Sequence, residues 1–340
     1  MKAVRLHAYR ELPVVEEVAE PVVTGPFDVV VRVGAAGLCR TDLHVIDGVF
    51  EYLAKPLPSV LGHETAGWVH EIGPNVVDLQ PGDPVILHPM ITCGFCPPCR
   101  RGLDQHCDRS KFSGVATDGG FAELVGTTAR SIVKLRPGSA PADVAGLADG
   151  GLAAYRAVKR SVPLLPPGSW VAVIGAGGVG HIAIQVLRAM SAAEIVVVDR
   201  LEAALALAET LGAQYAVLAD GGQVEAVRRA TGGRGVDVVL DFVGDGTAVS
   251  EALAMLAPRG TYVAIGYGAK VEFPTADLVV GELTITGSLI GTHAELAELV
   301  ALHDRSMVRV TTREYPLEAI LDAMHDLREG RITGRAIMVP

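Results

Sequence analysis

The chain reads as an α/β protein built from two domains, and three observations predict this. Residues 1–150 run as short β-like segments broken by Gly and Pro. Beyond about residue 168 the texture changes to strand-like and helix-like stretches in alternation. A glycine-rich turn, Gly175-Ala176-Gly177-Gly178-Val179-Gly180, stands where that second pattern begins.

The β-like runs at 29–33, 67–72, 84–88, 121–125 and 132–134 predict a barrel-like β domain carrying long loops. A continuous apolar strand at 169–174 opens the second half, followed by a helix at 179–191, a strand at 194–198 and a helix at 202–211. A helix at 223–231, a strand at 236–241, a helix at 247–256 and a strand at 262–265 continue it. Strands alternating with helices of about 10–15 residues predict βαβ units and a doubly wound parallel sheet. Helices at 294–303 and 317–329 come next, and a last strand at 336–339 is expected to return to the first domain. The expected division is therefore 1–150, 151–288 and a returning segment, 289–340.

Composition narrows the function. The 340 residues suffice for two cores, and although 49% are hydrophobic, no apolar run approaches the roughly 20 residues that span a bilayer. The formal charge is −10 with no basic block to offset it, which excludes nucleic acid and anionic membrane as partners and favours a small-molecule substrate. No basic segment followed by an apolar one marks the first residues, so a reducing, cytoplasmic setting is expected.

In that setting Cys93, Cys96, Cys99 and Cys107, spaced C-x2-C-x2-C-x7-C in a loop broken by Gly94, Pro97, Pro98 and Gly102, read as metal ligands rather than two disulfides. Four thiolates can surround one tetrahedral zinc and leave no open position, so this metal holds the loop at 93–107 and does no chemistry. Cys39 is then the one thiol not used for structure.

The glycine turn has the G-x-G-x-x-G pattern, follows a predicted strand and opens a predicted helix. Gly175 makes the tight turn, Gly177 and Gly178 keep the backbone open to a pyrophosphate, and Gly180 lets helix and strand pack closely. Val179 and Gly180 begin a helix whose free N–H groups attract phosphate. Asp199 ends the next strand, about 20 residues on, where a carboxylate binds ribose hydroxyls and repels a 2′-phosphate. NAD is favoured over NADP, although the neighbouring Arg200 works against that preference.

Cys39-Arg40-Thr41-Asp42-Leu43-His44 and Gly62-His63-Glu64 precede the four-cysteine loop. Together with that loop and the nucleotide turn, in this order from Lys2 to Pro340, they resemble the zinc-dependent medium-chain alcohol dehydrogenase family. The resemblance implies a GroES-like β-barrel catalytic domain followed by a Rossmann coenzyme domain, two zinc ions per chain and NAD. It implies that Cys39 and His63 ligate a catalytic zinc and that Asp42 orients His63. By the same resemblance Thr41 takes the alcohol proton and passes it through the nicotinamide ribose to His44, while Arg40 and Arg335 contact the pyrophosphate. Many relatives carry a third ligand, a cysteine, where this chain has Asp149 in Leu147-Ala148-Asp149-Gly150-Gly151. Asp149 is the favoured third ligand, being a donor zinc accepts. The alternative is that Asp149 caps a helix while Glu64, otherwise a near-metal acid, completes the shell.

The reaction implied is reversible NAD-linked oxidation of primary or secondary alcohols. Leu289 and Ile290, by family position, and Phe50 and Tyr52 suggest an apolar pocket suited to bulky or aromatic ones. A polyol or amino-alcohol dehydrogenase of the same family is the alternative. A zinc-free quinone reductase or non-catalytic relative is disfavoured by Cys39, His63, Thr41 and His44. A homo-oligomer, tetramer ahead of dimer, is expected.

Overall fold

In the computed structural model, which describes residues 1–270, 272 and 274–340, the chain forms two units. One comprises Met1–Leu152, Gly291–Arg305 and Val310–Pro340, the other Ala153–Ile290 and Ser306–Arg309.

The first unit is organised by the 11-residue strand Asp28–Leu38. Its β-branched run Val29, Val30, Val31 and Val33 is buried, the composition that suits a strand covered on both faces. It pairs antiparallel with Glu64–Ile72, Leu124–Thr128 and Arg335–Val339. The register shifts between Val30 and Val31 and again between Val33 and Ala35. Such bulges bend and twist a strand, which lets one strand serve three partners. The sheet continues through Pro84–Leu87 to Ile132–Lys134 on one side and through Arg335–Val339 to Thr312–Pro316 on the other. Val31, Leu61, Phe121, Val125, Leu317 and Met338 fill its core.

Two registers bring distant residues together. Gly37 lies opposite Glu64, and Leu38 opposite Ala336. Residues 39, 63–64 and 335 are therefore gathered at one end of the sheet, although they come from separate parts of the sequence.

The strand expected at 121–125 runs instead over Leu124–Thr128. Phe121 bonds Leu61 and Val4 through its backbone at 2.9 and 2.7 Å. Pairing with Asp28–Leu38 therefore starts only at Leu124.

In the second unit the described residues form a six-stranded parallel sheet in the order Tyr215–Leu218, Glu194–Asp199, Trp170–Ile174, Val236–Asp241, Leu256–Ala264, Thr284–Gly287. The first strand in sequence sits inside the sheet. The chain builds outward through Glu194–Asp199 to one edge and then crosses to Val236–Asp241, so the order reverses beside Trp170–Ile174, as in doubly wound nucleotide-binding folds. The strand expected to begin at 262 begins at Leu256, because it carries an irregularity that includes Arg259 at φ 66°. The edge strands Tyr215–Leu218 and Thr284–Gly287 and the helix Thr275–Gly281 were not expected from the sequence.

A buried polar pair locks the middle of this sheet. Tyr262, 1% exposed, donates its hydroxyl to Asp241 Oδ2 at 2.8 Å, and Asp241 Oδ1 accepts the N–H groups of Val243 and Gly244. Burial and the carboxylate push the Tyr262 pKa above its ordinary value. Removing only the hydroxyl, in Tyr262→Phe, leaves a fully buried carboxylate short of a donor. The expected cost is about 1.5–3 kcal/mol, the range for hydrogen bonds to charged groups. Urea unfolding would read it as a lower midpoint at unchanged m-value, and an unchanged midpoint would rule the lock out.

Candidate metal centre and dinucleotide site

Cys39 ends the Asp28–Leu38 strand and precedes the helix Arg40–Ile46. Asp42, three residues into that turn, accepts the Cys39 N–H at 2.9 Å through Oδ2 and faces His63 Nδ1 at 3.2 Å through Oδ1. One carboxylate thus fixes both the backbone under the thiol and the ring of the imidazole. Cys39, His63, Glu64 and Asp149 each offer a donor atom within 4.8 Å of the others, and all four are buried.

Two of those atoms are orphans. His63 Nε2 and Asp149 Oδ1 are buried with no hydrogen-bond partner among the described residues, although Asp149 Oδ2 lies 3.4 Å from His63 Nε2. Unsatisfied buried polar atoms are rare in folded proteins and demand a reason. Here thiol, imidazole and carboxylate, the donor types zinc accepts, converge, and a cation is what they lack. Burial, the largest influence on His63, lowers its pKa, but the carboxylates of Asp42 and Asp149 outweigh it and hold the imidazole well above its ordinary value. The geometry attracts positive charge.

Asp149 directly precedes the helix Gly150–Ser161. The N–H of Gly150 is taken by Glu64 Oε1 at 2.8 Å, so the helix start is served by Glu64. Arg335 in turn clasps Glu64 with Nε, 2.8 Å from Oε2, and with Nη2 on Oε1. Both Glu64 oxygens are occupied inside the protein. Burial alone would lower the Arg335 pKa, but the Glu64 carboxylate and the Cys39 sulfur hold it above its ordinary value. Arg335 is only 4% exposed. Read from the sequence as a pyrophosphate contact, it is first of all the buried partner of Glu64.

Thr41 and His44 stand three apart on the Arg40–Ile46 helix, a spacing that shares one face, and both are partly exposed, while Arg40 is exposed. Phe50 packs against the core of the first unit, and Tyr52 is 79% exposed.

The four-cysteine loop brings its sulfurs within 4.8 Å of one another. Backbone N–H groups of Phe95 and Cys96 point at Cys93 Sγ at 3.4 and 3.5 Å, and those of Cys93 and Arg109 at Cys107 Sγ at 3.3 and 3.4 Å. The Phe95 and Cys96 bonds bring the Cys93 pKa down to about 6, whereas burial pushes Cys99 up to about 12. Four sulfurs this close resist shared deprotonation, and a divalent metal removes that conflict.

In the second unit, Gly175 adopts φ 86° at the end of the strand Trp170–Ile174. A Cβ on Gly180 would stand 1.8 Å from the Gly175 carbonyl oxygen, so only glycine lets the helix Gly180–Met190 start this close. Around Gly177 nothing lies within 4 Å of such an atom. Gly177, Gly178 and Val179 are partly exposed, an open cradle for a phosphate at a helix N-terminus. Asp199 accepts the N–H of Ala176 at 2.7 Å and that of Leu201 at 2.9 Å, tying the turn to the next strand, and Arg200 is exposed. Leu289 is 51% exposed, and Ile290 adopts φ 43°.

The sequence reading missed the Glu64–Arg335 pair, the Gly150 N–H beneath it and the left-handed Ile290. Pairing over 271 positions leaves no local signal.

Comparison with known proteins is consistent over the whole chain. Residues 25–137 match the model for an alcohol dehydrogenase GroES-like domain, and residues 178–305 that for a zinc-binding dehydrogenase. An NAD-dependent alcohol dehydrogenase of Sulfolobus acidocaldarius is 37% identical over 348 aligned positions, covering 99% of each chain. An alcohol dehydrogenase of Geobacillus stearothermophilus is 33% identical, again over 99% of each. Among solved structures, the alcohol dehydrogenase of Aeropyrum pernix superposes with a TM-score of 0.98 at 43% identity, covering 100% of both chains.

The raised His63 pKa has a measurable consequence. A ligand imidazole must be neutral to bind a metal, and the carboxylates that raise the His63 pKa deepen that requirement. Zinc affinity at this site is expected to fall as pH falls, by about tenfold per pH unit for each proton displaced. Competition with a chelator at several pH values, with the four-cysteine loop already filled, measures this. Because the Cys39 thiol also gives up its proton on binding, the slope is compared with that of His63→Gln, and an equal slope in the two would show that His63 is not a ligand.

Proposed function

The chain belongs to the zinc-dependent medium-chain alcohol dehydrogenase family, and on that premise we propose how its residues divide the work of a reversible, NAD-linked alcohol oxidation. Cys39, His63 and Asp149 hold a catalytic zinc, and Cys93, Cys96, Cys99 and Cys107 hold a structural one, two ions per chain. The orphaned pair, His63 Nε2 and Asp149 Oδ1, carries the catalytic assignment. Cysteinate and aspartate together balance the charge of a divalent ion, and three protein ligands leave a tetrahedral ion one position for substrate. Glu64 is committed to Arg335 and Gly150, so the third ligand is assigned to Asp149.

Bound there, zinc supplies Lewis acidity that brings an alcohol's ionisation toward neutral pH, and NAD supplies the hydride acceptor. Asp42 keeps His63 oriented. The Thr41 hydroxyl would take the alcohol proton while passing its own through the nicotinamide ribose to His44, which would release it to water. The Gly175–Gly180 turn cradles the pyrophosphate and Asp199 takes the ribose diol. Leu289 and Ile290 line an apolar pocket, which favours secondary or aromatic alcohols over polyols.

No helix among the described residues is long and apolar enough to cross a membrane, and the charge is strongly acidic, which supports a cytoplasmic site of action. Val279 and Val280, 74% and 86% exposed, support a homo-oligomer, with a tetramer favoured.

Three measurements test these assignments. If Asp149 is a ligand, Asp149→Ala loses catalytic zinc and single-turnover hydride transfer, while Asp149→Cys retains metal. A helix cap alone would cost on the order of 1 kcal/mol of stability and leave the zinc in place. Full occupancy and near-normal turnover in Asp149→Ala would refute the assignment. For the cofactor, kcat/KM with NAD is expected to exceed that with NADP at least about tenfold. Equal efficiencies would mean that Arg200 offsets Asp199. Across primary, secondary, aromatic and polyol substrates, a preference for polyols would overturn the apolar pocket.

A further inference from the structure

The chain re-enters the first unit at Gly291 and is held there at three successive residues. His88, only 2% exposed, aims Nε2 at the Gly291 carbonyl oxygen at 3.0 Å, and its Nδ1 lies 3.3 Å from the Met90 N–H. The Met90 carbonyl oxygen also lies 3.2 Å from Nδ1, and because the Gly291 carbonyl can only accept, the Nε2 nitrogen donates to it. Thr292 caps the helix His293–Asp304, its N–H on Glu295 Oε2 at 2.8 Å and its hydroxyl accepting the Glu295 N–H at 3.1 Å. His293 gives its backbone N–H to Asp104 Oδ2 at 3.2 Å and sets its ring Nε2 2.8 Å from the Ile132 carbonyl. Asp104 belongs to the four-cysteine loop, and its other oxygen takes Arg130 at 2.8 Å.

The residue directly before this clamp is Ile290, at φ 43°. A β-branched side chain in the left-handed region is a true outlier, and such strain persists only where the surroundings over-determine it. Glycine would sit there without cost, yet the chain carries isoleucine. The clamp begins one peptide bond later.

We propose that His88 is a positioning residue of the dehydrogenase: its bond to Gly291, backed by the hold of Asp104 on His293, keeps Ile290 in its left-handed conformation and so presents Leu289 and Ile290 to the nicotinamide. The proposal rests on the assignment of those two residues to the pocket. It also gives the four-cysteine loop a part in substrate binding, through Asp104, beyond holding its own shape.

Two amides separate the ring nitrogens of His88. In His88→Gln the longer amide reaches the Nε2 position and can still donate to Gly291; in His88→Asn it stops near Nδ1 and cannot. On zinc-loaded enzyme, His88→Asn is expected to raise the KM for NAD about tenfold, with kcat changing less, and His88→Gln to stay within about threefold of wild type. Both should keep wild-type zinc content, and a crystal structure of His88→Asn should find Ile290 at negative φ. If Ile290 stays near φ 43° in His88→Asn, the clamp is refuted. If Ile290 relaxes while all kinetic constants stay at wild type, the positioning role falls and the fault lies in the pocket assignment. Equal losses in both variants would mean plain structural damage and also overturn it. Should His88→Asn yield no folded protein, Asp104→Asn, which weakens the outer hold, is expected to raise the same KM about threefold, and an unchanged KM refutes the proposal.

Discussion

The buried carboxylate of Asp42 is the constraint on which the metal centre depends. It lies one turn into a short helix, yet it binds the backbone of Cys39 and the ring of His63 together. A thiol at the end of one strand and an imidazole at the start of another have no intrinsic reason to stay in register. Pairing of Gly37 with Glu64 brings the two strand ends level, and Asp42 then sets the two donor groups relative to each other. Fixing a ligand ring through its second nitrogen is the usual way a protein tunes a metal site. Here the same carboxylate also supports the other ligand's backbone.

Around that centre, charge is balanced pair by pair. Glu64 would be a costly buried anion without Arg335, and Arg335 an equally costly cation without Glu64. Their mutual clasp occupies both Glu64 oxygens and braces the start of the Gly150–Ser161 helix. Asp149 keeps one buried oxygen, Oδ1, without a hydrogen-bond partner among the described residues, and its other oxygen lies 3.4 Å from His63 Nε2. The division of labour between two neighbouring carboxylates follows from which of them has an arginine.

Features with local chemistry were legible in the sequence. The four cysteines, the glycine turn and Asp199 announce themselves by spacing, and the fully buried strands Trp170–Ile174 and Val236–Asp241 by continuous apolar runs. The edge strands Tyr215–Leu218 and Thr284–Gly287 did not, because each is only four residues long and exposed at both ends, too short for a pattern to emerge. The Arg40–Ile46 helix was hidden for a different reason: its seven residues are too few for a helical period to emerge, and their identities are dictated by the site. Arg335 drew a role from the resemblance, but its pairing with Glu64 depends on a strand register that no local pattern encodes. His88 looked like any histidine in a strand-rich region until Gly291 was found beside it.

That long-range pair has a consequence for how the protein comes into being on the ribosome. Glu64 and Arg335 are separated by 271 positions, which at about 5–20 residues per second means roughly 15–50 seconds of elongation between them. Throughout that interval the strand Asp28–Leu38 lacks its partner Arg335–Val339, and Glu64 has no cation with which to enter the interior. The stretch from Ala153 to Ile290, by contrast, is continuous and contains its whole parallel sheet. The nucleotide-binding unit is therefore free to fold first, even though it is made second. Cys39 and His63, among the earliest residues synthesised, are among the last to acquire their finished surroundings.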